Sequence, residues 1–149
     1  MQNNKKFHYF GYASNLDEST LEGRLTTPAQ KICLAVLPQF GFRFNVKNAD
    51  GSARANLIPS PNESVYGVVY EISENDKAYF LKSEPGYEFI EKEVHTASGP
   101  IKAFVFISPK NETGIFPEES YWQVIVKGGK ESKLPNTYLS QIINRVGKL

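Results

Sequence analysis

Between Phe40 and Val46 the chain reads Phe-Gly-Phe-Arg-Phe-Asn-Val, with a large apolar residue at every second position. A two-residue period places Phe40, Phe42, Phe44 and Val46 on one face of an extended chain, whereas a helix would scatter them around its circumference. This segment must therefore be a strand with one buried face. Any fold for the chain has to supply a sheet with something packed against that face.

Further strands follow from the same logic. Residues 7–12 form an aromatic-rich strand that breaks at Ala13-Ser14-Asn15, small and polar residues suited to a turn. In 31–37, Ile32, Leu34 and Val36 alternate with other residues, which predicts that these three face the core. Asn48-Ala49-Asp50-Gly51 marks a turn. A strand near 53–58 is expected to stop at Pro59-Ser60-Pro61-Asn62, and another covers 65–72, where Gly67 marks a bulge or a close backbone approach. Tyr87–Thr96 and Ile101–Ile107 read as a hairpin joined through Ser98-Gly99-Pro100.

Helices are fewer. Asp17 can cap a short helix over 18–25, with Leu21 and Leu25 on one face. Ser73 and Asp76 resemble a capping box opening a helix over 74–83, which ends at Ser83-Glu84-Pro85-Gly86. Pro117 precedes a helix over 118–132, weakened near its end by Gly128-Gly129, and Pro135 opens another over 136–147. Strands first, one helix inside, then a hairpin and terminal helices give an α+β domain over 1–149. Its small mixed sheet is expected to be curled, or closed into a barrel, and flanked by helices.

A length of 149 residues suits one domain, and 40% apolar with 22% charged residues is ordinary for a globular chain. The net charge of +1, with Lys and Arg dispersed, gives no footprint for nucleic acid or an anionic membrane. No apolar run reaches the roughly 20 residues of a membrane helix, and none of signal-peptide length follows Lys5-Lys6. Cys33 is the single cysteine, which fits a reducing compartment; the cytoplasm is the expected location. On its strand, Cys33 reads as a buried small hydrophobe. His8 and His95 lack neighbours at metal-ligand spacing, and no P-loop or dinucleotide fingerprint occurs, so no metal or cofactor is expected.

Two features could carry chemistry. The turn Tyr12-Ala13-Ser14-Asn15 lies between a strand and a helix start, where backbone N–H groups can hold a carboxylate or an oxyanion. The same residues could equally do no more than build a turn and cap a helix. Glu84 follows a helix, facing the negative end of its dipole, an unfavourable place for a carboxylate. Residues that break a local rule can be functional, although an exposed loop Glu would look the same in sequence.

At these residues the chain resembles a known family. Tyr9-Phe10-Gly11-Tyr12-Ala13-Ser14-Asn15-Leu16 is similar to the Tyr-Phe-Ala-Tyr-Gly-Ser-Asn-Leu signature of the γ-glutamylcyclotransferases. Ala55–Pro61 followed by Val65-Tyr66-Gly67-Val68-Val69-Tyr70 resembles that family's strand, proline turn and Val-x-Gly-Val run. Leu81-x-x-Glu84 with Tyr87 resembles its catalytic segment, and Pro117-x-x-x-Tyr121, Gly128, Glu131, Leu134-Pro135 and Tyr138 its C-terminal part. The four pieces occur in order over almost the whole chain.

The resemblance implies cyclisation of a γ-glutamyl compound to 5-oxoproline with release of an amine. Glu84 would be the acid–base catalyst, Tyr12, Ala13, Ser14 and Asn15 would contact substrate, and Tyr121 would line the pocket. No cofactor is implied, and the partner is a small γ-glutamyl molecule, with a homodimer as an open assembly state. Ala13 stands where the family usually has Gly, and a positive φ there would make Ala costly. Pro85-Gly86 leads straight to Tyr87, a shorter loop than the family's Glu-Gly-Val type. A non-catalytic small-molecule binding protein on the same fold is the alternative reading.

Overall fold

The computed structural model describes residues 5–147; the first four residues of the segment read for a targeting signal lie outside them. Five strands, β1 (Lys6–Gly11), β2 (Gln30–Lys47), β3 (Ala53–Ser73), β4 (Glu88–Thr96) and β5 (Gly99–Ile107), close into a barrel in the order β1-β3-β2-β4-β5. All neighbours are antiparallel except β1 and β5, which meet in parallel at Tyr9 and Phe104. Among the described residues four helices flank it: α1 (Glu18–Glu22), α2 (Lys77–Lys82), α3 (Glu119–Glu131) and α4 (Asn136–Asn144).

The alternating segment is a strand as expected, with Phe42, Phe44 and Val46 buried. The expected break before it is absent, because 31–37 and 40–46 are one continuous strand. Within that strand the inward parity changes: Ala35 and Leu37 are buried, while Ile32 and Leu34 are 41% and 44% exposed. The cause is a bulge between Pro38 and Phe40, where Gln39 has φ 65 and the register slips. One extra residue reverses which face each side chain takes. The inward face of 31–37 is thus the opposite of the one expected from Ile32 and Leu34, and Cys33 is half-exposed rather than fully buried.

The proline-rich stretch does not end a strand either. β3 runs through Pro59 to Asn62, with Phe40 paired to Pro59 and Pro38 to Ser64. Residues 60–63 therefore belong to the same irregularity as Gln39, and a bulge tolerates prolines that a regular ladder would not. Gly67 has the predicted close approach: a Cβ there would stand 2.3 Å from the Gly11 carbonyl oxygen. β4 and β5 form the expected hairpin, although its turn is Ala97-Ser98, and Gly99 (φ 113) and Pro100 already pair with Thr96 and His95.

Asp17 caps α1 as predicted, accepting from the Thr20 amide at 3.2 Å, and α1 stops at Glu22 rather than 25. The helix expected over 74–83 divides into a 3-10 turn at Glu74–Asp76 and α2. Ser73 accepts from the Asn75 amide, but Asp76 does not reach back to it. Its carboxylate instead accepts from the Thr26 and Thr27 amides and the Thr26 hydroxyl, tying α2 to the loop before β2. Gly128 and Gly129 do not fray α3. A Cβ on Gly128 would stand 2.4 Å from the Leu16 carbonyl carbon, so glycine lets α3 lie directly on the backbone after the Ser14 turn. No helix among the described residues is long and apolar enough to cross a membrane.

Candidate functional site

β1 delivers Gly11 and Tyr12 to one end of the barrel, where the chain turns through a 3-10 turn at Ser14–Leu16. Ala13 has φ −130, so the left-handed conformation that would have penalised Ala is not required. The Leu16 and Asp17 amides are committed to the Ala13 and Ser14 carbonyls. Those two amides are therefore not open to a ligand.

Glu84 arrives from the far side of the sequence. α2 ends at Lys82, the Glu84 amide bonds to the Leu81 carbonyl, and Gly86 (φ 86) turns the chain into β4. Glu84 therefore sits just past the helix C-terminus, with its side chain 18% exposed. Glu84, Tyr12, Ala13, Ser14, Asn15 and Tyr121 line one small recess, joined by Tyr9, Ala55 and Phe106. All six residues singled out in the sequence are thus brought together. The recess continues through Ser14, Glu84 and Tyr121 into an open cavity of about 370 Å³ walled by Arg24, Asn48, Arg54, Ser83 and Glu118. A larger cavity, about 520 Å³, lies between α1 and α3 against Leu21, Lys31, Tyr70 and Lys127 and contains neither Glu84 nor Ser14.

The side chains of the recess are fixed by mutual bonds. The Tyr12 hydroxyl donates to the Phe106 carbonyl at 2.6 Å, and Asn15 donates to the Tyr9 hydroxyl at 3.0 Å. The Tyr121 hydroxyl accepts from the Ala55 amide at 3.0 Å, while the Tyr87 hydroxyl donates to the Ala55 carbonyl. Burial pushes the Tyr9, Tyr12 and Tyr87 hydroxyls well above the ordinary phenol range and Tyr121 up to about 12. All four stay neutral near pH 7.

Sequence reasoning missed two arginines. Arg24 Nη1 donates to Glu84 Oε1 at 3.1 Å and to Asn15 Oδ1 at 2.9 Å. Arg54 Nη2 donates to Glu84 Oε2 at 3.3 Å and Nη1 to the Pro85 carbonyl at 3.2 Å, with its guanidinium 4.5 Å from the centre of the Tyr87 ring. On β3, Arg54 lies between the buried Ala53 and Ala55, which puts it on the opposite face and gives no sign of its partner.

The sequence model of the AIG2-like family matches residues 64–142, which include Glu84 and Tyr121. The chain belongs to the AIG2-like family. Among relatives of this AIG2-like protein, bovine (Bos taurus) γ-glutamylcyclotransferase is 26% identical over 152 residues, covering 95% of this chain and 79% of that protein. A solved structure of a γ-glutamyl cyclotransferase superposes with a TM-score of 0.82 at 26% identity, over 97% of this chain and 90% of that one. A yeast γ-glutamyl cyclotransferase described as specific to glutathione shares the fold, with a TM-score of 0.67 at 15% identity over 96% of each chain. The barrel with its flanking helices is thus the fold of the γ-glutamylcyclotransferases.

Proposed function

We propose that this protein is a γ-glutamylcyclotransferase that converts a γ-glutamyl amine to 5-oxoproline and the free amine, with Glu84 as acid and base. The observation that carries this reading is the shared recess of Glu84 and the Tyr12–Asn15 turn, residues some seventy positions apart. Base and oxyanion donors must reach one substrate, and a shared recess supports that requirement.

In this mechanism the substrate's α-nitrogen attacks its own γ-carbonyl carbon, forming the lactam N–C bond while the bond to the departing nitrogen breaks. The nucleophile is tethered, and such ring closures reach effective molarities of roughly 10⁵ M or more. Glu84 accepts a proton from the α-ammonium and returns it to the departing nitrogen. Two protons leave the α-nitrogen in all and two arrive on the amine, which departs as an ammonium, so the reaction is proton-neutral. Backbone N–H groups of residues 12–15 hold the oxyanion of the tetrahedral intermediate. The names of the bovine relative and the solved cyclotransferase support the reaction class.

A non-catalytic binding protein is the second reading, favoured by the two arginines that already engage Glu84. The deciding experiment incubates the protein with a panel of γ-glutamyl compounds and measures 5-oxoproline. Product that disappears in Glu84→Gln supports the enzyme; binding without product from any compound supports the binder.

A further inference from the structure

The two arginines beside Glu84 are not equivalent. Arg24 is locked into the wall, because the Nη1 that meets Glu84 also meets Asn15, and Asn15 holds the buried Tyr9 hydroxyl. Arg54 lines the open cavity as Arg24 does, but it is held more loosely: its bonds, 3.2 Å to the Pro85 carbonyl and 3.3 Å to Glu84, lie at or beyond the long end of the N–H···O range. Stacking on Tyr87 keeps the guanidinium plane in place whichever acceptor it serves. A carboxylate entering the cavity can take a short charge-assisted pair of bonds from that fork, stronger than the contact it replaces.

We propose that Arg54 is a positioning residue that changes partner: it holds Glu84 before substrate arrives and passes to a carboxylate of the substrate on binding, which frees Glu84 to act as base. The inference rests on the cyclotransferase reading above. A carboxylate relieved of one of two cations accepts a proton more readily, so recognition and activation of the base become one event. Substrate offers two such groups, the glutamyl α-carboxylate and a carboxylate on the departing amine.

The test measures 5-oxoproline across pH for wild type, Arg54→Met and Arg54→Lys on three compounds: γ-glutamyl-alanine, γ-glutamyl-ethylamine (no carboxylate on the departing side) and γ-glutamyl-alanine with its glutamyl α-carboxylate converted to an amide. For Arg54→Met, kcat/KM on γ-glutamyl-alanine is expected to fall roughly ten- to a hundredfold, the contribution of a charge-assisted bond. The loss should vanish on one of the other two, which identifies the carboxylate Arg54 takes. The charged and titratable groups around Glu84 are Arg24, Arg54, Tyr9, Tyr12, Tyr87 and Tyr121, with Asp50 and Glu118 across the open cavity. The tyrosines do not titrate near neutrality, and loss of the Arg54 charge beside Glu84 should move the acid limb of kcat/KM to higher pH in Arg54→Met. Arg54→Lys should return the limb towards wild type without restoring discrimination, and it carries the test if the Met variant does not fold. Equal losses on all three compounds, or no loss on any, overturn the proposal. A wild type that yields no 5-oxoproline from any of them refutes the cyclotransferase reading itself, and this inference falls with it.

Discussion

Glu63 and Glu84 are each flanked by two arginines, and the contrast between them shows how one residue constellation serves different ends. Glu63 accepts both Nη atoms of Arg43 at 3.1 and 2.7 Å, Nη2 of Arg145 at 3.0 Å and the Ser60 hydroxyl at 2.6 Å. Four donors saturate a carboxylate. The bonds from Arg43 lead in holding its acidity to about 2, and the cluster joins the bulged part of β3 to β2 and to the end of α4. Glu84 is the more buried of the two, 18% against 30% exposed, yet only two donors among the described residues reach it. A carboxylate that is more buried and less bonded has lone pairs left for something else. Glu63 is an anchor, whereas Glu84 keeps acceptor capacity, and the number of donors, not the residue types, separates them.

The comparison breaks first if exchanging the two acids for amides has the same consequence. Glu84→Gln should fold, still bind a γ-glutamyl compound, and lose about two or more powers of ten in 5-oxoproline formation, whereas Glu63→Gln should keep wild-type turnover. Steady-state kinetics beside thermal unfolding would separate the two, and full activity in a folded Glu84→Gln would refute its role. Backbone approach gives the next largest effect. Gly67→Ala and Gly128→Ala should each lower stability by roughly 1–3 kcal/mol by overpacking, and Gly128→Ala should also reduce activity because it pushes on the turn beside Ser14. Urea titrations of both, with activity measured below the transition, test this.

Acid sharpens the contrast further. Glu63 titrates at about 2 in the folded protein against an ordinary 4.5, so its stabilising contribution is complete above the ordinary value and disappears as pH falls towards 2. Glu63→Gln should therefore flatten the fall in stability between roughly pH 4.5 and 2, followed by urea unfolding in that range. Asp17 is also held to about 2, by the Thr20 hydroxyl first and Lys127 second. Its replacement by Ala should cost about 1 kcal/mol as a lost cap. The smallest effect is expected at the exposed Glu88 of β4: Glu88→Gln should match wild type in turnover.

Much of this was legible in the chain. The Phe40–Val46 alternation, the Asp17 cap and the Gly67 approach followed from local rules, because each depends on a residue type at a given spacing. The site residues were legible only through resemblance, since physics alone left Ser14 and Glu84 among ordinary turn and loop residues. Two kinds of feature stayed hidden. The Gln39 bulge reverses the parity of a strand without leaving a mark in the hydrophobic pattern, so Ile32 and Leu34 were placed inside. The partners of Glu84 come from before β2 and from β3, and no local pattern announces a contact between residues 60 or 30 positions apart.

The seat of α3 on the backbone at Leu16 and Asp17 has a consequence for how the molecule comes into being. Lys127 and Asp17 are 110 positions apart, and Tyr121 is carried by the same helix. As the chain leaves the ribosome, every strand of the barrel emerges before the helix that backs the first turn and walls the recess. The Ser14 turn, made before four of the five strands, must therefore wait for a helix made after all of them. The pocket is completed only once the whole barrel has been synthesised.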